Sequence, residues 1–449
     1  MNNSLSRRDF VRTAAGSAAG LVLASRVPAL CGTGASPRLK VAAILTEFTH
    51  RSHAHVILEN FTEPYLFNGE KTDPGMDIAS IYLDQFPSNE LGRAFAGKYH
   101  IPIYKSLGEA LCLGGNKLAV DAVLSIGEHG TYPVNEKGQK EYPRKRFFDG
   151  IVEVFRRSGK VVPVFTDKHL SYRWDWAKEM YDTARQMKIP LMAGSSVPLA
   201  ERRPPLELPV NAQIEQAVSI HGGGLESYDF HGLEVLQSMV EARKGGETGV
   251  ASVQFLEGEA LWKAAANGLW SLTLAQAALD AEPSSGRPPG KELICPPEKG
   301  KLSEGFVTHG ILVTYRDGLR AICLAATTGG GTKWHFGCKF AGEEKPKATS
   351  FYVGPWDNRN LFKALAHAIQ THFREGRAPY PVERTLLVTG ILDAEMESRF
   401  REGKVMETPQ LAITYQPVDF RSMREMGATW KIMAEDIPEP KGIEVWKPK

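Results

Sequence analysis

The sequence predicts an α/β protein: an N-terminal parallel sheet wound with helices on both faces, followed by a second, sheet-rich domain. Three observations carry that expectation. Short apolar runs alternate with amphipathic stretches from Leu39 to Gly194, the pattern of a doubly wound parallel sheet. One such unit is complete in Gly159–Gly194, GKVVPVFTDKHLSYRWDWAKEMYDTARQMKIPLMAG. After the proline-rich, charged stretch Glu201–Pro209 (ERRPPLELP), strand signals dominate.

The unit at Gly159–Gly194 anchors the rest. Val161–Phe165 is a short apolar run of the kind a buried parallel strand shows. Ser171 suits a helix N-cap, and Ala177, Met180, Ala184 and Met187 recur along one helix face. Lys188-Ile189-Pro190 ends that helix, and Leu191-Met192-Ala193 begins the next strand. Asp167, Lys168 and His169 stand between strand and helix. That is the carboxyl edge, where open α/β sheets bind ligands.

The other elements follow in order. Leu39–Thr46 (LKVAAILT) is the first strand, and Arg51–Phe61 opens a helix. Thr62–Met76, with Pro64, Gly69, Pro74 and Gly75, reads as an inserted loop. Asp77–Leu83 is the second strand, ending at Asp84; Asn89–Tyr99 and Ser106–Leu111 are helical. Asp121–Ile126 is a third strand, followed by Gly127-Glu128-His129-Gly130. The polar insertion Asn135–Arg146 precedes a helix at Phe147–Ser158. Beyond the linker, Ile214–Ile220 is a strand, His221-Gly222-Gly223-Gly224 a loop, and His231–Lys244 a helix. Phe306–Thr314 and Ala321–Ala326 flank an Asp317-Gly318 turn and form a hairpin. Leu361–Glu375 and Val382–Glu402 are the closing helices. With the boundary in the linker, the organisation is a leader over 1–37, a first domain over 38–205 and a second over 206–449.

At 449 residues with a net charge of +2, the chain is long enough for two cored domains and carries no basic footprint for nucleic acid. Its five cysteines are scattered without a CxxC pair, which excludes a zinc framework or a disulfide scaffold. Ser6-Arg7-Arg8-Asp9-Phe10-Val11-Arg12 is a twin-arginine pattern, and an Ala/Gly/Leu-rich segment follows from Thr13 to Ser25. Cleavage is expected after Ala29. Cys31 follows Leu30, where a lipid anchor needs a small residue, and the apolar segment is too short to span a membrane. Passage through the twin-arginine translocase to the periplasm or cell envelope is therefore expected, with no stable membrane anchor.

Several stretches, in this order, resemble the Gfo/Idh/MocA-like family. They are IASIYLDQFPSNELGRAFAGKYHIPIYKSLGEAL, DAVLSIGEHGTYP, the unit at Gly159–Gly194 in place of the segment that normally carries Glu-Lys-Pro, GGGLESYDFHGLEVLQSMVEAR, and LFKALAHAIQTHFREGRAPYPVERTLLVTGILDAEMESR. The resemblance spans most of residues 38–405. It implies a Rossmann-like domain followed by an α+β domain on an open, mostly antiparallel sheet, and an NAD(P)-dependent oxidoreductase acting on a sugar, polyol or glycoside. By position, Lys168 would polarise the reacting oxygen, His231 would be the acid/base, and Asp229 the nearby aspartate. Asp84 would take the adenosine ribose, with Thr46, Arg51 and Glu128 also toward the cofactor. Self-association through the open sheet is expected by the same analogy.

The sequence departs from that pattern after the first strand, where Thr46-Glu47-Phe48-Thr49-His50-Arg51-Ser52-His53 contains no glycine. The family's Gly-x-Gly-x-x-Gly lets the backbone approach the pyrophosphate. Glu-Lys-Pro is replaced by Asp167-Lys168-His169, and Asp229 stands two residues from His231 rather than four. A competing constellation appears instead. Glu47, His50, His53, His129, Asp167 and His169, with His55 and Glu128 beside them, all follow parallel strands and are suited to zinc, manganese or iron. Such a site would serve hydrolysis or elimination at a carbohydrate without a nucleotide. A third reading is a non-catalytic carbohydrate-binding protein. Trp334 and His335 are read as aromatic core packing.

Overall fold

The computed structural model describes residues 38–281, 293, 306–327, 333–434 and 436–439. The expected leader, with its arginine pair and Cys31, lies outside the described residues, as does Cys295.

The chain opens on β1 (Leu39–Leu45), whose last five residues are buried. Helix α1 (His53–Thr62) follows, capped by Ser52. The stretch expected as an inserted loop forms a small hairpin, β2 (Tyr65–Phe67) and β3 (Glu70–Thr72). Next come β4 (Met76–Leu83), α2 (Gly92–Tyr99), β5 (Ile103–Tyr104), α3 (Leu107–Cys112), β6 (Ala122–Ile126) and α4 (Arg144–Ser158). The anchor unit gives β7 (Val164–Asp167), α5 (Trp174–Met187) and β8 (Leu191–Gly194). The N-cap of α5 is Arg173, not Ser171, and its C-cap is Lys188 in the left-handed region. These strands form one parallel sheet in the order β5-β4-β1-β6-β7-β8.

The sheet is buried on both faces because its side chains alternate between two cores. Val41, Ala43 and Leu45 pack with Val56, Phe61 and Phe95 from α1 and α2. Ala42 and Ile44 pack with Leu111, Phe147, Ile151, Ala177 and Met180 from α3, α4 and α5.

The expected linker contains an edge strand, β9 (Glu201–Arg203), of a second sheet. That sheet continues with β10 (Ile214–His221), followed by α6 (Asp229–Val240), β11 (Val250–Glu257), α7 (Gly258–Ala266) and α8 (Leu272–Asp280). Then come β12 (Val307–Tyr315), β13 (Arg320–Ala326), β14 (Trp334–Phe340), β15 (Lys347–Tyr352), α9 (Asn358–Glu375), α10 (Val382–Phe400) and β16 (Met406–Glu407). The order is β16-β11-β12-β13-β10-β14-β15-β9, antiparallel throughout except for the parallel pair β10–β13. This is the fold class expected: a Rossmann-like parallel sheet joined to a mostly antiparallel one.

One face of the second sheet packs on α6 and α10, continuous with the first core. Its other face is not bare: α7 and α8 cover Val218, Ile220, Ile322 and Leu324 with Leu261, Leu274 and Ala278. Helix α9 returns to pack on α1, and α10 lies across α5, α6, β8 and β11. No described helix is long and apolar enough to cross a membrane.

Candidate functional site

Parallel strands point their carboxyl ends one way, so the loops after β1, β4, β6, β7 and β8 meet at one edge of the first sheet. Lys168, immediately after β7, has φ +62 and is bridged to Gly194 at the end of β8. A side chain in the left-handed region is strained by about 1–3 kcal/mol, a cost that recurs at functional sites. Its buried ammonium donates to Glu128 Oε1 at 2.9 Å and to Ser227 Oγ at 3.1 Å.

Glu128, after β6, is held from its other side by the buried guanidinium of Arg144 at the start of α4. Burial alone would push this carboxyl up, but Lys168 and Arg144 hold it well below the usual range. Arg144 also donates to His169 Nε2 at 3.2 Å, while His169 Nδ1 donates to the Ser171 carbonyl at 2.8 Å. Burial, then Arg144, keeps His169 neutral.

Three further histidines gather beside this pair. His53, the first residue of α1, has Nδ1 2.6 Å from Asp167 Oδ2. Its ring lies edge-on to His129 at 5.1 Å and 6.5 Å from His231. His129, also in the left-handed region at φ +69, is lowered to about 4 by burial and by His53. Its Nε2 is buried without a hydrogen-bond partner among the described residues. His231 Nδ1 is 2.6 Å from Ser195 Oγ, which also accepts the Val197 amide at 3.1 Å. Burial, then the charge of Lys168, holds His231 well below its ordinary value. Glu226 stands nearby, pushed up to about 7 by burial, and accepts the Lys140 amide at 3.0 Å.

Lys168, Glu128, His53, His129, Asp167 and His231 are therefore brought together, and other expected site residues are not. Asp229 is buried, with Oδ1 2.9 Å from His221 Nε2 and 2.8 Å from His309 Nε2 and Oδ2 accepting the Glu226 amide. Two residues along a helix rotate by about 200°, so Asp229 and His231 face opposite ways. The expected metal set does not converge either. His50 is exposed, Glu47 accepts from Thr49 at 3.0 Å on the same turn, and His169 is spoken for by Arg144. His55 is buried, lowered to about 4 by burial, and accepts the Arg51 amide at 2.9 Å. Arg144, Ser195 and Ser227 were not singled out; no local pattern marks them, because each acts only through a partner distant in the chain.

The implied dinucleotide needs amide donors on an open turn after β1 and a free acid at the end of β4. Thr46 is fully buried, donating to the carbonyls of Ile126 and Glu128. Phe48 is fully buried against Phe95. Ser52 Oγ accepts the amides of Thr49 at 3.1 Å and His55 at 3.4 Å. Arg51 pairs with Glu439 and Asp357. Asp84 already accepts from Tyr82 at 2.8 Å, Tyr132 at 2.7 Å and Arg146 at 2.7 Å. Despite its burial, Arg146 and Tyr132 keep its pKa below the ordinary value. These residues do not form the glycine-opened cradle, and Thr46, Arg51 and Asp84 are each engaged with partners of the protein itself.

No protein-family model matches the chain, and no curated protein sequence matches it. Solved structures do resemble it. GenD2 from gentamicin A biosynthesis, in complex with NAD, is 12% identical with a TM-score of 0.53, over 84% of this chain and 98% of that one. A myo-inositol dehydrogenase from Lactobacillus casei, in complex with NAD(H) and myo-inositol, is 12% identical with a TM-score of 0.51, over 83% and 97%. An oxidoreductase from Agrobacterium radiobacter, in complex with NAD+, L-tartaric acid and magnesium, is 13% identical with a TM-score of 0.50, over 83% and 98%. At such identities the likeness is one of fold: a parallel nucleotide-type sheet followed by a mostly antiparallel one.

Proposed function

We propose that this chain is a Gfo/Idh/MocA-type oxidoreductase acting on a sugar or polyol, with Lys168 and His231 as its acid–base pair. One observation carries the reading: a buried lysine at the carboxyl end of β7, held by Glu128, within electrostatic reach of neutral His231. With its ring proton on Nδ1 given to Ser195, His231 presents an Nε2 lone pair to a substrate hydroxyl. Lys168 would stabilise the alkoxide that forms as that proton leaves. His53, oriented by Asp167, and His129 offer further contacts to neighbouring hydroxyls.

The solved neighbours named above hold NAD or NAD(H), and that supports a nicotinamide nucleotide as the oxidant for this fold. The β1–α1 turn of this chain does not offer the usual cradle, so no hydride step is derived. That turn favours a second reading, elimination or hydrolysis at a carbohydrate by the same acid–base cluster without a nucleotide.

The test is nucleotide release from denatured protein, read by absorbance and mass, with turnover of a polyol panel under NAD+ or NADP+. Bound nucleotide, or turnover that Lys168→Ala abolishes, supports the first reading. Turnover of a carbohydrate with neither nucleotide present moves the assignment to the second. Export to the periplasm or cell envelope belongs to the same proposal and rests on Arg7-Arg8. An Arg7→Lys, Arg8→Lys double variant should stay in the cytoplasmic fraction; unchanged export would remove that part.

A further inference from the structure

Apart from the acid–base cluster, four ionisable side chains meet in the interior. His221 ends β10, Asp229 begins α6, His309 lies on β12 and Glu395 on α10, and all four are buried. We propose that they form a closed site for one divalent transition metal of the zinc class, with both histidine Nε2 atoms and Asp229 as the close ligand group and Glu395, beside Asp229 but outside that group, as the fourth ligand. This goes beyond the acid–base reading and does not depend on it.

Four observations support the site. The ligand atoms of His221, Asp229 and His309 lie within 4.8 Å of one another, the one such group among the described residues. Both oxygens of Glu395 are buried and meet no N–H or hydroxyl donor among the described residues; the carboxyl lies within hydrogen-bond reach of Asp229, which together with burial pushes it well up. Neither carboxylate is ion-paired with a lysine or arginine among the described residues. Two adjacent buried carboxylates cannot both stay charged without compensation, because an unpaired buried charge is costly; a proton on Glu395 or a bound cation supplies it.

The fourth observation concerns the ring of His309. Thr308 Oγ1 donates to the Ala325 carbonyl at 3.2 Å and lies 3.0 Å from His309 Nδ1. A hydroxyl that spends its proton on the carbonyl accepts from Nδ1–H. On a neutral ring that leaves a lone pair on His309 Nε2 facing Asp229 Oδ1 at 2.8 Å, an arrangement that either a second ring proton or a shared cation resolves. Orientation of a ligating histidine through its other nitrogen is the usual support of a metal site. The Gly223 amide, 3.3 Å from His221 Nδ1, is the contact the ion would loosen, since that nitrogen would then carry the ring proton.

Two imidazoles and two carboxylates supply nitrogen and oxygen donors in a number that suits tetrahedral zinc, with no position left for substrate. The role is therefore to tie β10, β12 and α10 to the first turn of α6, on which His231 stands.

The experiment uses the full chain, without a polyhistidine tag, purified without chelator. Elemental analysis should find about one divalent ion per chain. Chelation should lower Tm, and added Zn2+ should restore it. His309→Ala and Glu395→Gln should weaken zinc binding by about 100-fold or more, and remain folded by circular dichroism. Should His309→Ala fail to fold, the isosteric Glu395→Gln variant and the zinc-dependent Tm of the wild type still decide. A wild type that carries no divalent ion and whose Tm ignores zinc overturns the site, with the network then held by protons. Variants that bind zinc as the wild type does overturn it as well. Neither readout involves nucleotide or turnover, so failure here is separable from failure of the proposed function.

Discussion

At the scale of single residues, Glu128 decides how the buried acid–base cluster is held. It is clamped between Lys168 and Arg144, all three buried. Glu128→Gln would leave two buried cations facing a neutral amide, and loss of one partner from a buried pair costs about 3–5 kcal/mol. Urea unfolding should show a loss of that size; a change below about 1 kcal/mol would mean that water solvates the cluster. Lys168→Ala leaves the Glu128–Arg144 pair in place, so it should fold and lose turnover by about 100-fold or more. A kcat within a few-fold of wild type would remove Lys168 from the chemistry. The positions of Lys168 at a strand end and His231 at a helix start were legible because such positions can be counted from the sequence. The two-residue spacing of Asp229 from His231 already departed from the family pattern, and the 3.6-residue turn of the helix shows why the two face opposite ways.

At the scale of elements, α10 is the tie between the two sheets. Arg384 on α10 meets Glu241, just past α6, through Nε at 2.9 Å and Nη2 at 2.5 Å, and Tyr415 donates to the same carboxylate at 2.9 Å. Arg384→Ala leaves Glu241 buried and unpaired, so unfolding free energy should fall by about 3–5 kcal/mol. Denaturant melts of this variant and of Arg384→Ala, Glu241→Ala together would separate the pair's own strength from the penalty of an orphaned charge. Close approach acts at the same scale. A Cβ on Gly232 in α6 would lie 2.5 Å from Cys323 Sγ and 2.7 Å from the His221 ring. Gly232→Ala, which raises helix propensity by about 1 kcal/mol, should nonetheless destabilise by about 1–3 kcal/mol through overpacking. A rise in Tm would show that the helix can lift from the sheet. The periodicity that predicted these helices is local; the partners that they bury against are not.

For the whole molecule, the burial of histidines sets the acid limit of stability. Burial lowers His55, His129 and His367 from 6.5 to about 4. A group whose folded pKa is depressed contributes fully above its unfolded value and loses that contribution as pH falls through the folded one. Stability should therefore decline from about pH 6.5 toward 4, by up to about 3 kcal/mol for His129 alone. His129→Gln should flatten the slope of unfolding free energy against pH by about one proton in this window. A slope unchanged by that substitution would place the titration elsewhere. Glu128 adds a loss of the same sign at still lower pH, since its folded pKa is depressed too.

The sequence alone determined the alternation of strands and helices, the parallel character of the first sheet and the sheet-rich character of the second half. Those features rest on side-chain period: 2 along a strand, 3.6 along a helix, each readable within a dozen residues. It also determined which polar residues stand at the carboxyl edge, because strand ends are set by the same pattern. Which of them meet was decided only by tertiary structure. His53 reaches Asp167 across 114 positions, and Arg384 reaches Glu241 across 143. The turn after β1 was read correctly as lacking glycine. That its remaining groups are consumed by Ser52, His55 and Glu439 required the packed chain. The physical reason is the same in each case. Periodicity fixes where a side chain points from its own element, while pairing depends on how elements far apart in sequence are laid against one another.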